Sequence, residues 1–483
     1  MSAFRMYGLP DRILWDKGAL GSAGEEYAGL DVWLLRGWSD CAHVPRDLDS
    51  WLPIYSFVHG SAGVPLPAEH ARFRPKRCLL EYAPGAAVRR VMRRAGSVAG
   101  GPGFTSTGRG KPEAPALGKL ARPLHVSSVP QMFIRGVGTA VPATRYKQSE
   151  CWAVLEDSEV FTRLAPRSRA LLRKVFSGQN GIDSRALALS PLTEAFDLTP
   201  NALHARFANN APVLAAQAAE RALKNANISR DEIDAVLIST CTGYLCPGLT
   251  SYVSERLGLR PGVFGLDLVG QGCVAAMPNL RTAEALIASR RARTALSICV
   301  EVCSAALYFD DDPGVLISAC LFGDGAGAAV LSHERGATLR TIEWKDSESL
   351  LSPSDRDALK FETRDGMLRN ILTTPVPGIA ARHSAEVLER VLQRHQLKPE
   401  QITGWIWHSG GRDVLTALRE QFGFHNGELD HTTAVLREYG NISSACVYHV
   451  LERSLANGTP PGWWWMSAFG AGFSCHGALL KVS

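Results

Sequence analysis

From residue 131 to the end of the chain, short apolar runs bounded by glycine alternate with stretches in which apolar residues recur every three to four positions. The segment "QMFIRGVGTAVP" predicts a strand ending in a turn. "NAPVLAAQAAERALKNANI" (210–228) predicts an amphipathic helix and "AVLIST" (235–240) a buried strand. The order repeats: "ERLGL" closes a helix, "VFGLDLV" reads as a strand, 275–289 as a helix and "TALSICVEV" (294–302) as a buried strand. After residue 400, "GWIWH" is a strand, while "RDVLTALREQFG" and "ISSACVYHVLERSLANG" are helices stopped by glycine. Strands and helices alternating at this spacing predict an α/β fold of parallel sheets covered by helices. "VGQGC" and "EYGN" each open a helix with a chemistry-bearing side chain just after a glycine, an echo that suggests a duplicated unit.

The first 130 residues follow neither rhythm. Trp, Pro, Gly and Arg are interspersed there, and the tract 89–130 carries one acidic residue, Glu113, among several Arg and Lys. We read 1–130 as an N-terminal extension and Gly/Pro-rich linker, disordered or misassigned, with Met132 as an alternative start. At 483 residues the chain exceeds one core, and 46% hydrophobic with 20% charged residues is ordinary for a folded protein. A net charge of +5 over this length gives little reason to expect nucleic acid as a partner. The 11 cysteines are scattered singly, with no C-x-x-C pair, which fits neither a disulfide framework nor a zinc module. No apolar run reaches the roughly 18 residues that span a bilayer. The expectation is a cytoplasmic protein with reduced thiols, no metal and no membrane span.

Three residues carry candidate chemistry. Cys273 in "VGQGCVAAMP" stands at a helix start, where the positive end of the dipole lowers a thiol pKa. Pro278 has no N–H, so either the first turns are kinked or the regular helix begins after Cys273. His408 in "WIWHSGGRDVL" ends an apolar strand, where side chains line a ligand crevice, and Gly410 and Gly411 let a ligand approach the backbone closely. Asn441 in "REYGNISS" stands at another helix start. Each also has a bland reading: a small buried hydrophobe, a satisfied core histidine, a helix N-cap. Together they supply a nucleophile, a proton handler and an amide donor, all at Gly-flanked loop-to-helix junctions. Gly323, Gly325 and Gly327 in "GDGAGAAVL" lack the G-x-G-x-x-G spacing and precede a strand, so we read a tight turn there, not a nucleotide loop.

With these residues go "CTGYLCPGL", "GQGCVAAMPNLRTAEAL", "CVEVCSAA", "ISACLFGDGAGAAVL", "VPGI", "WHSGG", "YGNISSACV" and "SAFGAGF", in that order. The chain from about residue 131 to 482 thereby resembles the bacterial branch of the type III polyketide synthases, the chalcone and stilbene synthase family. The resemblance implies a thiolase-like duplicated αβαβα fold, with halves 131–335 and 336–483, and a cytosolic homodimer. It also implies an acyltransferase that extends an acyl-CoA starter iteratively with malonyl-CoA, the CoA thioesters being substrates and no cofactor being needed. Carried over, Cys273 is the acylated nucleophile and His408 and Asn441 complete the triad. Phe322 in "CLFGDG" is the gatekeeper aromatic, Cys241 and Cys303 line the cavity, and Cys246 reaches the partner subunit's cavity.

The physical expectation attached to this assignment is a Cys273 thiol acidified by an imidazolium at His408 and by the helix terminus. Departures from the family pattern are Ala471 in place of a loop proline and Asn370 at the position of the second aromatic gatekeeper. Small Ala306 and non-aromatic Asn370 together suggest room for a long acyl starter. Arg173 and Lys174 are approximate counterparts of the basic residues that hold CoA phosphates. Competing readings are a β-ketoacyl-carrier-protein synthase III-like single condensation, a Cys-His acyl-CoA thioester hydrolase and a non-catalytic scaffold of the same fold.

Overall fold

The computed structural model describes residues 131–336, 340–425 and 427–483, with the backbone alone at 178 and 179; the extension and linker read over 1–130 lie outside the described residues. Nine strands share one sheet. The first half contributes β1 (Met132–Ala140), β4 (Ala235–Thr240), β5 (Phe264–Val269), β6 (Thr294–Glu301) and β7 (Gly325–Ser332). The second contributes β8 (Ile342–Leu351), β11 (Ile402–Trp407), β12 (Gly462–Gly470) and β13 (Ser474–Val482). Two antiparallel pairs stand apart: β2 (Arg145–Lys147) with β3 (Ser184–Ala186), and the hairpin of β9 (Leu359–Arg364) with β10 (Met367–Leu372).

The order β11-β12-β13-β8-β1-β7-β6-β4-β5 joins the halves through one short ladder, Met132–Ile134 against Ile342–Trp344. The sheet is mixed, which corrects the expectation of parallel sheets. Pairing is parallel at the ends, β4 with β5 and β6, and β11 with β12. It is antiparallel through the middle, where short connections and the return of β1, β8 and β13 replace helical crossovers. The αβαβα layering that the family resemblance implies is present, because helices cover the sheet outside and two helices fill the space between the halves.

Those two central helices are the elements behind "VGQGC" and "EYGN". Ala276–Ala288 and Cys446–Ala456 bury Met277, Leu280, Val447, Tyr448 and Leu451 in one core shared with Trp344 and Trp464. Regular helix begins after each candidate residue, since a 3₁₀ turn precedes it: Gly272–Val274 in one half and Ser443–Ala445 in the other. Pro278 thus falls in a first helical turn, where its missing N–H has no partner to lose. On the outer face, the helix Pro200–Ala226 is capped by Thr199 and runs longer than the 210–228 expected from periodicity. Its buried alanines lie directly on β1. A Cβ at Gly136 or Gly138 would meet backbone of that helix at 2.4 and 2.3 Å, so only glycine permits this approach.

Candidate active site

The turn out of β5 places Cys273. Gly270 (φ 81°) and Gly272 (φ 61°) both adopt left-handed backbone, which brings the chain around sharply enough to hold Cys273 at the start of the central helix. The loop Ala468–Phe473 backs this turn so closely that a Cβ on Gly470 would come within 3.0 Å of the Cys273 nitrogen. From the other half, Ser443 Oγ donates to Cys273 Sγ at 3.3 Å. The two echoing junctions therefore meet.

His408 directly follows β11, and its N–H donates to Ser467 O at 3.0 Å. Its side chain is buried, edge-on to Phe469 with ring centroids 5.1 Å apart, and Nδ1 has no protein partner. The next residue anchors the loop: Ser409 N–H donates to Cys446 Sγ at 3.1 Å, and Ser409 Oγ lies 2.9 Å from the same sulfur. Asn441 is fixed at both ends of its amide. Its Oδ1 accepts from Ser443 N at 2.9 Å and its Nδ2 donates to Gly410 O at 3.2 Å, leaving the second amide hydrogen free of that bond. Asn441 is not the N-cap its sequence position suggested: that place is taken by Ile442, and the Asn441 amide instead closes a two-residue turn onto Ser443 and presents a donor. The backbone of Asn441 pairs with Leu321 and Gly323, which sets Phe322 beside it.

Cys273, His408, Asn441, Phe322, Gly410, Gly411 and Phe469 line one cavity of about 560 Å³. A second, inner chamber of about 50 Å³ is lined by Cys241, Cys273, Cys303, Ala306, Phe322 and Asn370, among others. Cys273, Phe322 and Leu359 belong to both, so they form the partition between a wide outer space and a narrow inner one. Lys174 reaches the outer cavity, whereas Arg173 does not: its guanidinium lies 3.6 Å from Glu156 and over the Phe161 ring. Cys246 is exposed and lines neither chamber.

The electrostatics differ from the expectation of an acidified thiol. Burial pushes Cys273 up to about 12 and His408 down to about 3, against weaker help to the thiolate from Ser443. A lone thiolate or a lone imidazolium is disfavoured here. The helix terminus does not reverse this, because the regular helix begins three residues later.

Two features of the site escaped sequence reasoning. Glu301, fully buried at the end of β6, accepts from Cys241 N (3.0 Å), Thr242 Oγ1 (3.0 Å) and Ser444 Oγ (2.5 Å), and burial raises its carboxyl pKa. A single acid inside the apolar run "TALSICVEV" was the signal available for it. Phe361, which lines the inner chamber, is the other. Beside it, the space expected around Asn370 for a long starter is not open.

Comparison with known proteins gives the family. Residues 143–343 match the family model described as FAE1/Type III polyketide synthase-like protein, and residues 347–482 match the chalcone and stilbene synthases, C-terminal domain. The chain is 30% identical over 363 residues to a 3,5-dihydroxyphenylacetyl-CoA synthase of Streptomyces toyocaensis, spanning 73% of this chain and 90% of that one. It is 31% identical over 355 residues to a 1,3,6,8-tetrahydroxynaphthalene synthase of Streptomyces peucetius subsp. caesius, spanning 72% and 92%. The crystal structure of PKS-I from the brown alga Ectocarpus siliculosus superposes with a TM-score of 0.67 at 26% identity, over 73% of this chain and 98% of that one. The chain belongs to the type III polyketide synthases, thiolase-fold enzymes that condense malonyl-CoA iteratively onto an acyl starter.

Proposed function

We propose that Cys273 carries the growing acyl chain and that His408 and Asn441 hold the charge developed at the thioester oxygen. As the starter thioester approaches, His408 takes the Cys273 proton, sulfur attacks the carbonyl carbon, and the CoA thiolate leaves with that proton. Malonyl-CoA then loses carbon dioxide, and the electron pair left behind forms an enolate whose oxygen accepts from His408 and Asn441 Nδ2. In a dry site each such donor is worth about 3 kcal/mol to the transition state. The enolate carbon attacks the acyl-cysteine, the Cys273–acyl bond breaks, and a chain longer by two carbons returns to CoA. Phe322 separates the CoA side of the site from the chamber that receives the chain, and Lys174 meets CoA phosphate at the outer cavity.

A homodimer in the cytoplasm completes the proposal. Its support is the free edge of β5, where Phe264 is 51% and Val269 54% exposed, with Tyr244 at 68% in the loop that also carries Cys246. An uncovered apolar sheet edge invites a second copy. No helix among the described residues is long and apolar enough to cross a membrane, and the nine described cysteines are unpaired, as in a reducing compartment.

The observation that carries the reading is the convergence of Cys273, His408 and Asn441 on one cavity. The test is incubation with isotope-labelled malonyl-CoA and a starter panel, without carrier protein, followed by mass spectrometry. Labelled polyketide together with an acyl adduct on Cys273 is expected. Turnover only with malonyl-carrier protein would favour the single-condensation alternative.

A further inference from the structure

We propose that Ser409 and Cys446 are positioning residues for His408, a buried hydroxyl–thiol pair that fixes where the imidazole stands relative to Cys273 and Asn441; this rests on the reading of His408 as the group that takes the Cys273 proton. An imidazole in a site is ordinarily fixed by a hydrogen bond to one of its ring nitrogens. Among the described residues none takes Nδ1 of His408, which is buried, and the ring meets Phe469 edge-on. Its place is therefore set by that packing and by the backbone on either side of it.

On one side the sheet ties the backbone, His408 N–H donating to Ser467 O at 3.0 Å. On the other the next residue does. Ser409 is fully buried; its N–H donates to Cys446 Sγ at 3.1 Å, and its Oγ lies 2.9 Å from the same sulfur. Cys446, also fully buried, opens the central helix Cys446–Ala456 directly after the turn Ser443–Ala445. That turn carries Ser443, whose hydroxyl donates to Cys273 Sγ at 3.3 Å, and Asn441 just before it donates through Nδ2 to Gly410 O at 3.2 Å. The His408 loop is thus pinned at two points to the junction that holds Asn441 and touches Cys273. Of the two pins, Ser409–Cys446 lies behind the wall, since neither residue lines either chamber. Breaking it leaves an N–H and a hydroxyl out of water without a partner, a cost that favours the observed loop position over others.

The test uses the full chain with Ser409→Ala, Cys446→Ala and Cys446→Ser, with melting temperatures as the folding control. In turnover of malonyl-CoA with an acyl-CoA starter, the two Ala variants should lose about tenfold in kcat with KM within about twofold of wild type, because placement of a reacting group is lost and substrate binding is not. Cys446→Ser keeps a hydrogen-bonding atom opposite Ser409 and should recover most of that loss. Alkylation of Cys273 by iodoacetamide, followed peptide by peptide by mass spectrometry, supplies a readout that a general loosening of the fold would not give. Ser409→Ala should slow it about fivefold with His408 present and leave it unchanged in the His408→Gln background. Ser409→Ala retains its N–H bond to Cys446 and gives a readout if Cys446→Ala folds poorly. Folded Ala variants with wild-type kcat, or equal effects on alkylation in the two backgrounds, would overturn the proposal. A wild-type enzyme inert toward malonyl-CoA would instead overturn the functional reading, and this inference with it.

Discussion

His408 is buried and Cys273 half-buried beside it, and loss of hydration raises the thiol to about 12 and lowers the imidazole to about 3. In the proposed mechanism one proton passes from sulfur to nitrogen and creates two opposite charges that attract each other in the cavity. On that proposal the thiol's reactivity is a property of the pair. His408→Gln should slow iodoacetamide alkylation of Cys273 at pH 7 by about tenfold or more, because the thiol then has only the Ser443 hydroxyl to set against the cost of burial. An unchanged alkylation rate would show that the thiolate forms without the imidazole. At this scale the sequence was informative where a residue type announces its chemistry, as cysteine, histidine and asparagine after glycines do. It was silent on Phe361, because phenylalanine in "LKFETR" reads as one apolar position among many until the register pairs it with Asn370. Glu301 lay between these cases: a lone acid in an apolar strand was visible, but its six-donor neighbourhood comes from two other segments, 240–242 and 443–444.

The elements most legible in the sequence are those whose local pattern decides their burial. β4, β6 and β11 are continuous apolar runs, and the central helices have glycine-marked starts. β8 to β10 were missed because polar residues are interleaved there, "IEWKDSESLL" and "LKFETR", and pairing with distant strands outweighs their weak local preference. The parallel prediction failed in the middle of the sheet for the same reason: strand direction there is set by which distant strand returns to the seam. The contact between β1 and the helix Pro200–Ala226 offers a direct check. A Cβ on Gly138 would lie 2.3 Å from the Ala222 nitrogen. Gly138→Ala should therefore destabilise the protein by about 1–3 kcal/mol, read as a lowered urea midpoint. A variant as stable as wild type would mean that the helix can shift off the strand at little cost.

In the whole molecule, the central helix Cys446–Ala456 joins the halves, and it carries a titratable group. His449 is buried against Ala326 of β7, bonded through Nε2 to its carbonyl at 3.1 Å, and burial lowers its pKa to about 4. Unfolded, the same histidine titrates near 6.5. Between about pH 6.5 and 4 the unfolded state takes up the proton and the folded state does not, so this residue makes stability fall as pH falls. Glu284, Glu301 and Asp324, whose pKa values are raised by burial, act with the opposite sign, so the histidine is isolated by difference. His449→Gln should reduce the fall in stability between pH 6.5 and 5 by about 1 kcal/mol per pH unit. Equal slopes in the two proteins would mean that the folded site admits the proton.

The proposed mechanism separates two tasks, carrying the acyl chain and stabilising an enolate, onto different side chains that share one cavity. Decarboxylation of malonyl-CoA by Cys273→Ala, compared with Cys273→Ala/Asn441→Ala, measures that separation directly. The single variant should still release carbon dioxide while forming no condensed product, and the double variant should release it about a hundredfold more slowly. Equal decarboxylation by the two variants would contradict the assignment of Asn441 to the enolate oxygen and, with it, the reading of this cavity as the condensing site.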